Sequence, residues 1–228
     1  MLIFRHFALA ALVLLVASCT YSEENRSNPI LRNLAWFSYL NGDDIRSYCR
    51  AGGPDRYRLV YNANWNEQVR TYDLTATADG GADLVIQVSG DANLMGGVSL
   101  SDPLAPWRGR IERGRVGRGE FRAIRDALHA SGFATPPPRG TRLKSWGFFW
   151  LAAGCEGGKF RYNGWAHPSL RFEGVKLREA LMAVDKTGIA FNPPREVDYR
   201  LDNEQKDAQS HYQLVITADG IKDNFIPF

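Results

Sequence analysis

Residues 56–89 constrain the fold more tightly than any other stretch. Arg56 to Tyr61 (RYRLVY) and Gln68 to Ala76 (QVRTYDLTA) are β-rich runs on either side of an Asn-rich turn, Asn62 to Glu67 (NANWNE). Asp79-Gly80-Gly81 then closes a second hairpin. Such tight turns need residues that accept a positive φ, which Asp-Gly supplies. Leu84, Ile86 and Val88 recur at every second position, the period of a strand with one buried face. The stretch predicts a three-stranded antiparallel meander, and the apolar face of a meander must be covered by other elements.

The rest of the chain offers the cover. Ser27-Asn28-Pro29 is a helix-start signal, and Ile30, Leu31, Leu34, Phe37 and Leu40 follow at helical spacing. Asn41-Gly42 interrupts that helix, and Asp43 or Asp44 caps a short second one ending near Cys49. Glu120 to Ser131 reads as an amphipathic helix, with Phe121, Ile124 and Leu128 on one face and Gly132 at the C-terminal cap. Thr135-Pro136-Pro137-Pro138 is a stiff linker that either separates two subdomains or crosses the surface.

Trp146 to Ala152 and Lys159 to Trp165 read as a hairpin. A second helix is expected from Glu173 to Asp185, ended by Gly188, and a last hairpin from Glu196–Leu201 and His211–Thr217. No strand–helix–strand alternation forces a parallel sheet. The expected class is α+β, with antiparallel sheets built of hairpins and a meander, plus several helices, in one globular domain over residues 29–228. Leu74-x-x-Thr77-Ala78-Asp79-Gly80-x-x-Asp83 is repeated as Leu214-x-x-Thr217-Ala218-Asp219-Gly220-x-x-Asp223. Duplication is one reading. Shared Asp-Gly turn chemistry is the preferred one.

The N-terminus gives an address. Met1 to His6 carries one fixed charge, Arg5, ahead of the unbroken apolar run Phe7 to Ala17. As a helix this run covers about 16 Å at roughly 1.5 Å per residue, whereas a bilayer core of about 30 Å takes roughly 20 residues. The run is too short to span and fits the apolar region of a signal peptide. Val16-Ala17-Ser18-Cys19 follows. Over these residues the chain resembles bacterial lipoprotein precursors, whose lipobox is an aliphatic residue, two small residues and a Cys.

The resemblance implies a signal peptide over residues 1–18, cleavage between Ser18 and Cys19, and a diacylglycerol on the Cys19 thiol, with further acylation (such as palmitate) of the new amine. Two or more chains anchor stably, at about 0.8 kcal/mol per buried CH₂. Residues 19–28 would be a polar tether. Thr20, rather than Asp, after the Cys implies the outer membrane of a Gram-negative bacterium, with the protein facing the periplasm. RLVYN (58–62) and EQVRTY (67–72) resemble stretches of uncharacterised proteobacterial lipoproteins, which supply no activity to carry over.

Removing residues 1–18 leaves 210 residues and lowers the net charge from +3 to +2, since Arg5 is the only fixed charge lost. That balance is no nucleic-acid footprint. With Cys19 assigned to lipid, Cys49 and Cys155 form an even pair in an exported chain, which reads first as a disulfide. Two buried free thiols are the alternative reading.

Catalytic chemistry is hard to find. The chain has no Cys-x-x-Cys and no two His at i, i+4, so zinc spacing is missing and no metal or cofactor is expected. Gly-x-Ser-x-Gly is missing too. A Cys155–His167 dyad can be written, but a Gly-rich turn is an ordinary place for a disulfide.

Two surfaces merit attention. Asn62, Trp65, Arg70 and Tyr72 place an aromatic ring among amides at a hairpin tip, a ligand-surface candidate whose bland reading is turn chemistry with Trp65 folded onto the core. Trp146, Trp150 and Trp165, with Phe148 and Phe149, read as core packing. Arg108, Arg110, Arg113, Arg115 and Arg118 head a run of net charge +4 over residues 108–126. Near a membrane such a run attracts anionic headgroups at about 1 kcal/mol per charge. The bland reading is a solvated strand and helix face with Gly spacers.

The sequence therefore predicts a lipid-anchored envelope protein that binds, scaffolds or assembles without catalysis. Expected partners are the membrane through the N-terminal lipid, and anionic lipid, cell-wall polymer or an envelope protein. A hydrolase of cell wall or lipid, and a small-ligand carrier, are the alternatives.

Overall fold

The computed structural model describes residues 36–90, 109–197 and 211–225. Signal peptide, Cys19, the tether, the Ser27–Pro29 cap and Arg108 lie outside the described residues. In chain order the strands are β1 (Arg56–Ala63), β2 (Gln68–Ala76), β3 (Ala82–Ser89), β4 (Arg110–Val116), β5 (Arg142–Lys144), β6 (Phe148–Glu156), β7 (Lys159–Ala166), β8 (Gln213–Thr217) and β9 (Gly220–Phe225). Helical residues 36–41 (α1) precede α2 (Asp43–Ser47), α3 (Arg118–Ala130), α4 (Leu170–Glu173) and α5 (Leu177–Met182). The fold is α+β and every strand pair is antiparallel.

The meander forms as its turns dictate. β1 and β2 run in register from Arg56 opposite Thr75 to Ala63 opposite Gln68. β3 follows through the Thr77–Gly81 turn, where Asp79 Oδ1 accepts from Thr77 Oγ1 and from the Gly81 amide. β4 joins the free edge of β3, and the β6–β7 hairpin joins the free edge of β1. The order is β4-β3-β2-β1-β6-β7, beside a smaller sheet ordered β5-β8-β9.

Both faces of the large sheet are covered, which is why β6 is buried over almost its whole length. On one face Leu59, Tyr61, Tyr72, Leu74 and Trp150 pack under Phe121, Ile124 and Leu128 of α3, Leu177 and Leu181 of α5, and Phe191. On the other, Val60, Val69, Phe149 and Leu151 pack under Tyr39, Leu40 and Ile45 and under Leu143, Leu214 and Ile216 of the small sheet. Gly164 makes this close stacking possible. A Cβ there would sit 2.6 Å from Ile216 Cδ1 and 3.0 Å from Leu143 Cδ1.

Cys49 and Cys155 form a disulfide across 106 residues, tying the segment after α2 to the end of β6. The Cys155–His167 dyad is thereby removed, because a sulfur in a disulfide offers no thiolate.

Three expectations are corrected or sharpened. The single helix over 173–185 is instead α4 and α5. Ser169 Oγ caps α4 by accepting from the Phe172 amide. The chain then breaks at residues 174–176, where the Lys176 amide donates to Ser131 Oγ across the molecule. The last hairpin joins β8 to β9, and β5 takes the other edge of β8. Glu196 and Val197 are irregular, and the remainder of that stretch lies outside the described residues. Thr217 to Gly220 closes a tight turn, with the Asp219 amide on Thr217 Oγ1 and Thr217 Oγ1 on the Gly220 carbonyl. The shorter loop costs less closure entropy. Finally, the solvated strand and helix face read over the arginine run takes the form of β4 at the sheet edge, whose alternation Arg110, Glu112, Arg113 and Arg115 hide. Charges of this kind are how edge strands avoid unwanted pairing. The two Asp-Gly repeats are both hairpin turns, but in sheets of different size and order, which favours shared turn chemistry.

Candidate functional site

The Asn-rich hairpin tip looks inward. Asn62 is fully buried and donates from Nδ2 to the carbonyls of Ser145 and Gly147, at 2.8 and 2.6 Å. The Asn64 and Trp65 amides bond the same two residues, donating to Gly147 and Ser145 carbonyls at 3.1 and 2.7 Å. Trp65 packs on Trp36 and Tyr212, with ring centroids 5.0 and 5.4 Å apart. The tip is thus a clamp on the 145–147 turn between β5 and β6.

Arg70 and Tyr72 point to the opposite face and are also fully buried. Arg70 Nη1 meets Asp185 Oδ2 at 2.7 Å, and the Tyr72 hydroxyl donates to the same oxygen at 2.7 Å. Arg70 also donates to the carbonyls of Ile189 and Ala190. Gln68 Nε2 donates to the Ala190 carbonyl at 2.8 Å, the Asn192 amide donates to Gln68 Oε1, and the Tyr61 hydroxyl donates to the Asn192 carbonyl at 2.7 Å. These bonds fix residues 185–192, an irregular strap after α5. Burial pulls the Asp185 carboxyl upward. Bonds from Thr187 and Tyr72 and the charge of Arg70 outweigh it and hold the group below the usual carboxylate range. The four residues expected to share a ligand surface therefore do not. Asn62, Arg70 and Tyr72 are interior, and they divide between two faces of the sheet because strand neighbours alternate.

What they hold in place is a cleft. The clamped turn, residues 195–197 just beyond the strap, and residues 167–168 just after β7 come together around a cavity of about 240 Å³. Its lining includes Lys144, Trp146, Phe148, His167, Arg195 and Glu196. Lys144 Nζ lies 5.7 Å from the Trp146 ring centroid, and Trp146 itself rests 5.6 Å from the ring of buried His211. The Arg195 guanidinium lies 5.3 Å over the Phe148 ring and pairs with Glu67. Asn64 Nδ2 in turn donates to Glu67 Oε1. His167 meets Phe148 and Phe172 edge-on, and its amide donates to the Phe148 carbonyl at 2.9 Å.

Phe148, Phe149, Trp150 and Trp165 are core residues, as expected, whereas Trp146 is half-buried in the cleft wall. Lys144, Trp146, His167 and Arg195 show no common spacing in sequence. The aromatic density of residues 146–150 is their only local sign, and it reads equally well as core.

The arginine run is not one patch. Along β4, Arg110 stands opposite Val88, while Arg113 and Arg115 stand opposite Val85 and Asp83, which places Arg110 on one face and the other two on the reverse. Arg110 bonds Glu112, Arg115 pairs with Asp79 and Asp83 at 3.2 Å, and Arg118 donates to the Asp79 carbonyl. Asp79 and Asp83 lie outside the 108–126 window that made the run look so basic.

A separate cluster surrounds Glu156. Its Oε1 accepts from the Tyr57 hydroxyl at 2.6 Å and meets His129 Nε2 at 2.8 Å, with Arg125 at 3.8 Å. Burial pushes Glu156 upward, but the bonds from Tyr57 and His129 hold it below the usual range. It ties β1, α3 and β6 together. Among the described residues no three His, Cys, Asp or Glu side chains are grouped to hold a metal ion, and no helix is long and apolar enough to cross a membrane. No family model, curated protein or solved structure matches this chain.

Proposed function

We propose that this chain is an exported lipoprotein, anchored through lipid on Cys19 and facing the periplasm from the outer membrane. Its work is to bind a partner at the Trp146–Arg195 cleft, without a reaction of its own. The observation that carries the binding reading is how the cleft is built. Buried polar side chains are costly unless satisfied. Here Asn62, Gln68 and Arg70 direct their bonds at two irregular backbone segments; the first carries Trp146, and the second leads three residues on to Arg195. A binding site needs that kind of support behind it. The Cys49–Cys155 disulfide supports export, since such bonds persist in oxidising compartments.

Two measurements test the reading. Cys19→Ser should abolish palmitate incorporation and release the protein from the membrane fraction, and unchanged labelling overturns the anchor. A photo-crosslinking residue at Lys144 should capture an envelope partner in cells. Adducts no more frequent than from a control position at Arg122, on α3, overturn the cleft as the binding surface.

A further inference from the structure

We infer that the end of the domain carrying the cleft rests on the membrane that holds the lipid, with Leu170 and the Trp146 rim at the phospholipid surface. The inference rests on the anchored, partner-binding reading above and names the partner as phospholipid.

The two ends of the large sheet differ. At one end lie the Thr77–Gly81 turn, the turn between Glu156 and Lys159, and the Cys49–Cys155 disulfide. The β8–β9 turn is at this end as well, since Arg46 donates to the Asp219 carbonyl and lies over the Phe160 ring at the start of β7. At the other end lie the Asn62–Glu67 tip, the 145–147 turn and residues 167–170, because β6 starts at Phe148 opposite Ala63 and β7 stops at Ala166 opposite Phe149.

The chain from the anchor joins this second end. Trp36, where the described chain begins, has its ring 5.0 Å from that of Trp65, and its Nε1 donates to the Tyr212 hydroxyl at 3.1 Å. The Trp65 amide donates to the Ser145 carbonyl at 2.7 Å and the Tyr212 amide to Ser145 Oγ at 2.9 Å. Trp36 therefore stands one contact away from the turn that carries Trp146. Even fully extended, residues 19–36 reach no more than about 60 Å, at roughly 3.5 Å per residue. A lipid on Cys19 thus pulls on the cleft end of the domain, not on the disulfide end.

The side chains at the cleft end suit a bilayer interface. Leu170 opens α4 and is 86% exposed, more than any other large apolar side chain among the described residues. It follows closely on His167 and Pro168, which line the cleft. Ser169 Oγ accepts from the Phe172 amide and donates to the Ala166 carbonyl, so Leu170 projects from a fixed turn. A bilayer edge recovers the burial that this leucine forgoes in water. The same cleft is lined by Trp146, which is half-buried, and Lys144 Nζ lies 5.7 Å from its ring. Indoles settle at headgroup level, and lysines beside them reach the phosphates. Arg195 pairs with Glu67, and Glu196 shares the lining with Lys144, so these charges cancel and apolar contact carries the docking. Tyr48, 64% exposed, follows α2 just before Cys49 at the disulfide end, away from the anchored chain.

The test places the full lipidated protein, disulfide intact, in vesicles of phosphatidylethanolamine and phosphatidylcholine. A nitrobenzoxadiazole label on Leu170→Cys, on Glu196→Cys or, at the disulfide end, on Ala218→Cys reads the approach of lipid-borne nitroxide quenchers. Labels at 170 and 196 should be quenched far more than the label at 218, and high salt should leave the difference unchanged. Leu170→Ser, at an exposed position, should cut the quenching at Glu196→Cys about threefold or more, because the leucine's burial is lost. Equal quenching at all three positions, stronger quenching at 218, loss of the difference in high salt, or an unchanged signal in Leu170→Ser would each overturn the docking. The photo-crosslinker at Lys144 separates this from the wider reading. Phospholipid adducts support the docking. Envelope-protein adducts with unquenched labels overturn phospholipid as the partner and leave the binding reading standing, and adducts to neither remove both.

Discussion

Arg70→Leu should be among the most destabilising substitutions in the protein. Arg70 is fully buried, meets Asp185 at 2.7 Å and Gln68 Oε1 at 2.9 Å, and serves the carbonyls of Ile189 and Ala190. Leucine fills much of the space but leaves Asp185, whose side chain is 6% exposed, as a buried charge without its cation. Breaking a buried pair from one side costs about 3–5 kcal/mol. At a urea slope of roughly 2.5 kcal/mol/M, the unfolding midpoint should fall by about 1–2 M.

Removing both charges should cost less than the two single changes together. The Arg70→Leu, Asp185→Leu double variant leaves Tyr72 and Thr187 without an acceptor, at about 1–3 kcal/mol each, but no bare charge. Equilibrium unfolding followed by tryptophan fluorescence, with the disulfide intact, gives all three values. A loss below about 1 kcal/mol for Arg70→Leu, or strict additivity in the cycle, would refute the reasoning. The pair also sets an acid limit. A carboxyl held low in the folded state contributes stability that is complete above its unfolded pKa, about 3.9, and is lost as pH falls through the folded value. Wild-type stability should therefore drop below about pH 4, and Asp185→Asn should flatten that drop.

Other consequences are measurable in the same way. The Cys49→Ala, Cys155→Ala double variant removes a cross-link spanning 106 residues. On the chain-entropy model a loop of about 100 residues is worth roughly 4.7 kcal/mol, so its melting temperature should fall sharply, and wild-type protein should resist thiol labelling until reduced. Gly164→Val pushes into Ile216 and Leu143 and should cost about 1–3 kcal/mol by overpacking, read from the urea midpoint. Arg115→Ala breaks only exposed pairs with Asp79 and Asp83 and should change stability by less than about 1 kcal/mol, a shift near the noise of the same assay.

How much was legible in the sequence depended on whether the signal was local. The β2 boundaries, Gln68 to Ala76, read directly because strand propensity and flanking turns agree. The helix near residues 120–131 read well for the same reason, with Phe121, Ile124 and Leu128 buried as the spacing required. The bounds of β4 were illegible because its edge position permits charge on both faces. The break between α4 and α5 was illegible because it depends on Ser131, far away in sequence. The hairpin-tip residues were singled out, but their role was inverted. Polar side chains beside a Trp look alike whether they face solvent or bond a distant backbone turn, and only the sheet's second cover layer settles which.

The sequence by itself determined the α+β class, the antiparallel meander, the pairing partners left once Cys19 is set aside, and the expectation of an exported, lipid-bearing chain. Those follow from period-two alternation, turn chemistry, cysteine parity and a short apolar run, all readable within a few residues. Tertiary structure alone decided that Cys49 meets Cys155, that Arg70 and Asp185 lie within bonding distance, and that Lys144, Trp146, His167 and Arg195 share one cleft. The physical reason is sequence separation. A cleft wall is assembled where strand ends, a turn and the segment beyond a strap converge, and the bonds behind it run from Asn62 and Arg70 to residues 83 to 120 positions away.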